Sequence, residues 1–143
     1  MFPDAVERPT GSRDTPQPVV LQRPVPVFRI FDVAKAQDFY VGYLGCAVDW
    51  EHRFAPGMPL YTQVSRGALV LHLSEHHGDA TPGSTVHTEL TGVRTLHAEL
   101  AAKDYPYQHP GLEEDEFGTS LTLTDPFGNR LRFNERGGGG ATS

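Results

Sequence analysis

The chain has 143 residues, 38% hydrophobic and 21% charged, which predicts one globular domain with its own core. Its formal net charge of −6 disfavours nucleic acid as a partner, because an acidic surface repels phosphate backbones. No apolar run approaches the roughly 20 residues that span a bilayer, and the N-terminal residues lack the apolar stretch of a secretory signal, so no membrane partner is expected. A single cysteine, Cys46, excludes an internal disulfide and favours a cytoplasmic location.

The two ends of the chain differ in composition from the middle. Prolines and polar residues dominate residues 1–23, and residues 137–143 are rich in glycine. Segments of this kind bury too little apolar surface to offset the entropy of ordering them. We therefore predict a disordered tail over residues 1–23, a folded body over residues 24–136 and a flexible tail over residues 137–143.

The first half of the folded body has the pattern strand, helix, strand, strand, strand. An apolar strand over residues 25–31 precedes Asp32, which occupies the N-cap position of a helix that ends at Gly45. Strand-like segments then follow over residues 47–54, 60–65 and 68–74, separated by turn signals.

The second half repeats this order. Residues 85–90 alternate like a strand, a helical stripe runs from Val93 to about Lys103, and strand-like segments cover residues 106–111, 119–124 and 130–134. The sequence DPFGN at residues 125–129 predicts a turn between the last two. The strand-to-helix step at Ile30 recurs sixty positions later at Leu90, which indicates two modules, residues 24–75 and 84–136.

Alternation along four of these strands gives each an apolar face suited to packing under a helix. The opposite faces collect polar side chains: Arg29, His72, Ser74, His87, Glu89, Arg132 and Asn134. A solvated second face is the default for an antiparallel sheet, whereas curvature would make it the lining of a cleft.

Two copies of this order, with FDVAKAQDFYVGYLG at residues 31–45 and TDPFGNRLRF at residues 124–133, resemble the vicinal oxygen chelate superfamily. That group includes glyoxalase I, extradiol dioxygenases and bleomycin-resistance proteins. The resemblance implies an α+β fold of two tandem βαβββ modules, whose curled mixed sheets enclose a cleft.

Metal-dependent members of that superfamily carry ligands on four strands, and the matching positions here are Val25, His72, Thr85 and Arg132. Only His72 is a normal metal ligand, and Arg132 would place a permanent positive charge beside a cation. A divalent ion needs at least three good donors. The departure therefore implies neither metal nor cofactor, and places the chain closest to the bleomycin-resistance branch.

The resemblance then predicts a metal-free homodimer that sequesters a cationic or aromatic antibiotic, such as bleomycin, without breaking a bond. No catalytic residue is assigned. The candidate ligand-binding residues are Arg29, Trp50, Tyr61, His72, Glu75, His87, Glu89, Phe117, Arg132 and Asn134.

Other interpretations of these residues stay open. The chain could be a divergent glyoxalase-like or dioxygenase-like enzyme that uses His72 or His87 as a metal ligand or acid–base catalyst. Glu89 and Arg132 could form a structural salt bridge, and the aromatic residues could belong to the core. The acidic run at residues 113–116 and the histidine-rich segment after His72 are equally compatible with solvated loops.

Overall fold

A computed structural model describes residues 16–137, so most of the predicted N-terminal tail and nearly all of the C-terminal tail lie outside the described residues. The first helix, α1 (Val33–Gln37), continues directly into a π-helical segment, Asp38–Tyr43. None of the described helices is long and apolar enough to cross a membrane. The elements are β1 (Val27–Arg29), α1 (Val33–Gln37), β2 (Ala47–His52), β3 (Tyr61–Arg66), β4 (Leu69–Ser74), β5 (Thr85–Glu89), α2 (Val93–Ala102), β6 (Leu112–Asp115), β7 (Gly118–Thr124) and β8 (Arg130–Arg136).

The strands form two four-stranded mixed sheets, one in each half of the chain. The first has the order β1-β4-β3-β2 and the second the order β5-β8-β7-β6. In each sheet the strand that precedes the helix pairs in parallel with the last strand of its module, and the other pairs are antiparallel. The predicted α+β architecture of two βαβββ modules is confirmed.

The register of the parallel pairs reproduces the predicted duplication. In the first sheet Val27 lies opposite His72, and in the second His87 lies opposite Arg132, so both partners are displaced by sixty positions. The other two pairs of β1 with β4 recur in β5 with β8 at the same displacement.

The two modules share one apolar core, and the helices begin where the sequence predicts. The side chain of Asp32 accepts a 2.9 Å hydrogen bond from the amide of Lys35, which caps α1. The apolar faces of both sheets supply fully buried side chains to the same cluster, among them Phe28, Leu71, Leu121 and Leu131. Burying these faces against the helices leaves the opposite face of each sheet uncovered.

One strand prediction is wrong. Residues 106–111 form no strand, and β6 begins instead at Leu112. This strand includes residues 113–115 of the acidic run, for which a solvated loop was one interpretation. Pro106 and Pro110 each lack the backbone N–H that a ladder needs, whereas residues 112–115 pair in full with β7. The acidic side chains of this edge strand are nevertheless exposed to solvent.

Candidate ligand-binding faces

The uncovered side of the first sheet carries an ordered cluster of aromatic and polar side chains. We call it the aromatic face and define it by Trp50, Tyr61, Gln63 and His72. Trp50 stacks on Tyr61 with ring centroids 6.0 Å apart and planes 9° from parallel. The His72 ring stands edge-on to both, at 5.2 Å from Trp50 and 5.1 Å from Tyr61.

A β-bulge places Trp50 on this face. The register between β2 and β3 shifts after Val48, so that Trp50, rather than Asp49, lies opposite Gln63. Bulges commonly re-aim a side chain in this way. Gln63 in turn lies opposite His72, and these three residues form a row across the sheet.

A directed chain of hydrogen bonds fixes the polar side chains of the aromatic face. Gln63 Nε2 donates to Asp49 Oδ2 over 3.0 Å, so its Oε1 faces His72 Nε2, also at 3.0 Å. Because an amide oxygen only accepts, Nε2 of His72 carries the proton and Nδ1 accepts from the Tyr61 hydroxyl at 2.8 Å. Burial lowers the pKa of His72 below its ordinary value, in agreement with this neutral ring.

Two loops form the rim beside the aromatic face. Phe54, 78% exposed, contacts the rings of His52 at 5.3 Å and His76 at 6.4 Å. Trp50 is 42% exposed, and neither ring belongs to the buried core. Phe117, by contrast, lies in the turn between β6 and β7 of the other sheet, so the structure does not bring it together with the first-sheet aromatics.

The charged candidates near the first sheet are held by internal contacts. Arg29 donates to the carbonyl oxygens of Glu75 and Ile30, and its guanidinium lies 4.4 Å from the ring centroid of Phe31. The Glu75 carboxylate accepts the amide of Leu60 at 2.9 Å and lies 3.7 Å from Arg53. Both side chains therefore support the loop that follows β4.

The uncovered side of the second sheet is polar rather than aromatic. Its Glu89 forms an ion pair with Arg136 at 3.3 Å, so the suggested pairing of Glu89 with Arg132 is wrong. Glu89 lies opposite Asn134 in the register, and Arg132 and Arg136 stand two residues to either side of that position. Asn134 is buried and donates to the Ser120 hydroxyl at 2.8 Å.

The side chains at the superfamily's metal positions do not fit a metal ion. His72 has both ring nitrogens engaged by Tyr61 and Gln63, and Val25, Thr85 and Arg132 supply neither imidazole nor carboxylate. Over residues 16–137, no group of three or more His, Cys, Asp or Glu side chains is arranged to hold a metal ion. The enzyme interpretation based on His72 as a ligand consequently gains no geometric support.

The fold consists of two βαβββ modules, each with one uncovered sheet face. Comparison with protein families shows which family has this fold. A model described as "Glyoxalase superfamily protein" matches residues 11–140. The chain belongs to the glyoxalase superfamily. A search of curated protein sequences finds no significant match.

Solved structures of the same fold include proteins that bind antibiotics. The bleomycin-binding protein from bleomycin-producing Streptomyces verticillus, in complex with copper(II)-bleomycin, is 29% identical, with a TM-score of 0.61 over 82% of this chain and 98% of that chain. The antibiotic-binding protein TnmS3 from Streptomyces sp. CB03234 is 20% identical, with a TM-score of 0.61 over 82% of this chain and 99% of that one. A glyoxalase-related enzyme from Clostridium phytofermentans is 19% identical, with a TM-score of 0.64 over 82% and 97%. At 20% and 19% identity, the last two show the shared fold alone.

Proposed function

We propose that this protein is a metal-free small-molecule-binding protein that captures a flat aromatic ligand on the aromatic face, without breaking a bond in it. The observation that carries the proposal is the partly exposed, stacked pair Trp50 and Tyr61. Aromatic pairs in offset or edge-on geometry contribute about 0.5–1.5 kcal/mol beyond the area they bury. A ligand ring added to this pair would gain contacts of the same kind.

Preorganisation supports capture on this face. The chain of hydrogen bonds through Asp49, Gln63, His72 and Tyr61 holds these side chains before any ligand arrives. Immobilising a flexible side chain on binding costs roughly 0.5–1.5 kcal/mol. A site whose side chains are already ordered avoids this cost. Its imidazole is neutral, so a flat ring can approach it without desolvating a charge.

The ligand class follows from the relatives together with the face. The bleomycin-binding relative, at 29% identity, is described as a complex with copper(II)-bleomycin. This description supports a natural-product antibiotic as the ligand. The sequence predicts a cationic or an aromatic ligand, and the exposed rings of this face favour an aromatic one.

We also propose that the functional unit is a homodimer with a folded body over residues 24–136. The uncovered face of each sheet would need a second surface to enclose a ligand, and a second copy of the chain offers one. Among the predicted ligand contacts, Trp50, Tyr61 and His72 are the ones this proposal uses directly.

Trp50 is the only tryptophan, so its intrinsic fluorescence reports on this face alone. Titration with bleomycin should quench it saturably with micromolar or tighter affinity, and isothermal calorimetry should give the same constant. Trp50→Ala should weaken the calorimetric affinity at least tenfold. Tyr107→Ala, which removes an exposed ring elsewhere, should leave it unchanged. No heat and no quenching at about 100 µM bleomycin, which corresponds to roughly 5–6 kcal/mol, would reject bleomycin as the ligand.

A further inference from the structure

Two arginines differ from the others in having no partner within the described residues. Eight arginines lie within residues 16–137. Six donate to a carbonyl oxygen or a carboxylate of the chain: Arg23, Arg29, Arg53, Arg66, Arg94 and Arg136. Over the same residues the side chains of Arg130 and Arg132 make neither a hydrogen bond nor an ion pair, and both are exposed.

These two arginines share one strand and one face. They flank Leu131 on β8, and because Leu131 is buried in the core, alternation turns both guanidiniums to the uncovered side of the second sheet. Two residues along a strand correspond to roughly 6.6 Å, a separation that two long arginine side chains can close around a single group.

Residues with hydrogen-bonding side chains lie opposite the two arginines on the neighbouring strands. Arg130 lies between Thr85 on β5 and Thr124 on β7. Arg132 lies between His87 and Thr122 on the same two strands. We call this grid the cationic face; it consists of Thr85, His87, Thr122, Thr124, Arg130 and Arg132, and all six side chains are exposed.

We propose that the cationic face binds an oxyanion: a phosphate, sulfate or carboxylate group of a small molecule. Guanidinium groups donate paired N–H bonds that match the oxygens of such groups, and charge-assisted bonds are roughly twice as strong as neutral ones. Threonine hydroxyls and the imidazole of His87 can complete the donor set.

The carboxylates nearby do not neutralise this patch. Glu89 is paired with Arg136, and Glu113 lies in the same cross-strand row as Glu89, beyond the row that contains Arg132. Glu75 and Glu89 are among the predicted ligand-binding residues, but both carboxylates have partners inside the chain. On the cationic face itself, the charged side chains without partners are therefore the two arginines, although the chain as a whole has a net charge of −6.

This inference goes beyond the proposed function, because it concerns the other sheet and a different chemistry.

It is tested on the full chain, labelled with ¹⁵N, by following the arginine Nε–H signals while inorganic phosphate, sulfate or acetate is added at constant ionic strength. We expect the signals of Arg130 and Arg132 to shift saturably with a millimolar dissociation constant. Arg130→Gln and Arg132→Gln should each weaken binding about tenfold. Arg94→Gln removes the same charge from α2 and should leave it unchanged.

The three anions distinguish the possible sources of the group. Saturation with phosphate and sulfate but not acetate identifies a tetrahedral oxyanion, and the reverse identifies a carboxylate. Linear shifts spread over all arginines would overturn the proposal, as would saturable shifts of the β5 and β8 backbone amides that persist in the double glutamine variant. Arg132→Lys keeps the charge but loses the paired geometry, so intermediate affinity is expected even if a glutamine variant is poorly folded. Bleomycin titration monitored at Trp50 is independent of these readouts, so either proposal can fail alone.

Discussion

The hydroxyl of Tyr40 donates a 2.6 Å hydrogen bond to the Asp125 carboxylate, joining the first module's helical region to the second module's last turn. The other oxygen of Asp125 accepts the amides of Phe127 and Asn129, both at 2.8 Å. Oδ2 also accepts from the Asn129 side chain at 2.9 Å. A buried carboxylate is tolerated only when bonded this fully, so this pair ties the modules together.

Asn129 extends the contact to the linker between the modules. Its side-chain oxygen accepts the amides of Gly83 and Ser84, and its Nδ2 donates to the carbonyl oxygen of Arg29 at 3.1 Å. One turn thereby positions β1, the linker and the end of β7. The relative placement of the two uncovered faces depends on this network.

Tyr40→Phe should therefore lower the free energy of unfolding by about 2 kcal/mol, since a hydrogen bond to a charged group contributes roughly 1.5–3 kcal/mol. Urea denaturation followed by circular dichroism measures this loss. Tyr107→Phe is the matched control, because Tyr107 is exposed, and it should leave the midpoint unchanged. Equal midpoints for wild type and Tyr40→Phe would show that the network adds no stability.

The sequence can predict a contact of this network only when the two residues lie close together along the chain. The helix cap at Asp32 and the turn at Asp125 follow from residues within five positions of each other, and both were predicted. Tyr40 meets Asp125 across 85 positions, and no local pattern carries that information.

The candidate sites show the same limit. Alternation correctly predicted which side of β1, β4, β5 and β8 packs into the core, because one period-2 rule decides it. It could not predict that Glu89 would choose Arg136 over Arg132, since both stand on the same face. The bulge after Val48 decides which residue of β2 lies opposite Gln63, and no local pattern in the sequence indicates it. Arg130 was missed because its lack of a partner is visible only when every other arginine has been placed.

Stability should fall in alkaline solution because of the buried thiol of Cys46. Burial raises its pKa to about 11 from an ordinary value of 9.0. The unfolded chain then releases this proton at lower pH than the folded chain, so the contribution is present below pH 9 and is lost as pH rises to 11. Its full size is about 2–3 kcal/mol.

Cys46→Ala isolates this contribution. Urea denaturation at pH 8, 9.5 and 11 should show a difference in unfolding free energy between wild type and variant that changes by about 2–3 kcal/mol over that range. Tyr40, whose pKa is raised chiefly by burial and then by Asp125, is present in both proteins, and only the smaller part of its shift that comes from Cys46 differs between them. A difference that stays constant with pH would contradict the prediction.

Gly118→Ala should be the most damaging of the glycine substitutions at the turns. Gly118 has a φ of 128°, and an added Cβ would lie 2.1 Å from the Glu135 carbonyl oxygen and 2.7 Å from the Gly137 amide nitrogen. Backbone atoms cannot move aside as a side chain can, so we expect a loss of more than about 3 kcal/mol.

Gly67→Ala provides the comparison, because its φ is 58° but nothing lies within 4 Å of the added Cβ. The left-handed conformation alone should cost about 1 kcal/mol there. Thermal unfolding of both variants measures the contrast, and similar losses at the two positions would mean that the β7–β8 backbones can separate at low cost.

The hydrogen-bond chain of the aromatic face predicts both the tautomer and the titration of His72. Long-range ¹H–¹⁵N correlation spectra near neutral pH should show the Nε2–H form, with Nδ1 accepting from Tyr61. Burial lowers the pKa of this imidazole, so the unfolded chain binds the proton first as pH falls below about 6.5, and stability declines there. Tyr61→Phe removes the donor that favours the neutral ring and should move the His72 pKa back towards its ordinary value.

Tyr107→Phe changes an exposed ring elsewhere and serves as the control, because it should leave the His72 signals unchanged. The proposed direction of these hydrogen bonds would be contradicted if His72 carried its proton on Nδ1 in the wild type. It would also be contradicted if Tyr61→Phe left the pKa of His72 unchanged. With these hydrogen bonds in place, the His72 imidazole next to Trp50 is uncharged and held in one orientation above pH 6.5. Protonation below that pH would place a cation 5.2 Å from the indole and break the bond from Tyr61. In Tyr61→Phe the imidazole should protonate at a higher pH, so binding of an aromatic ligand should begin to weaken at a higher pH than in the wild type.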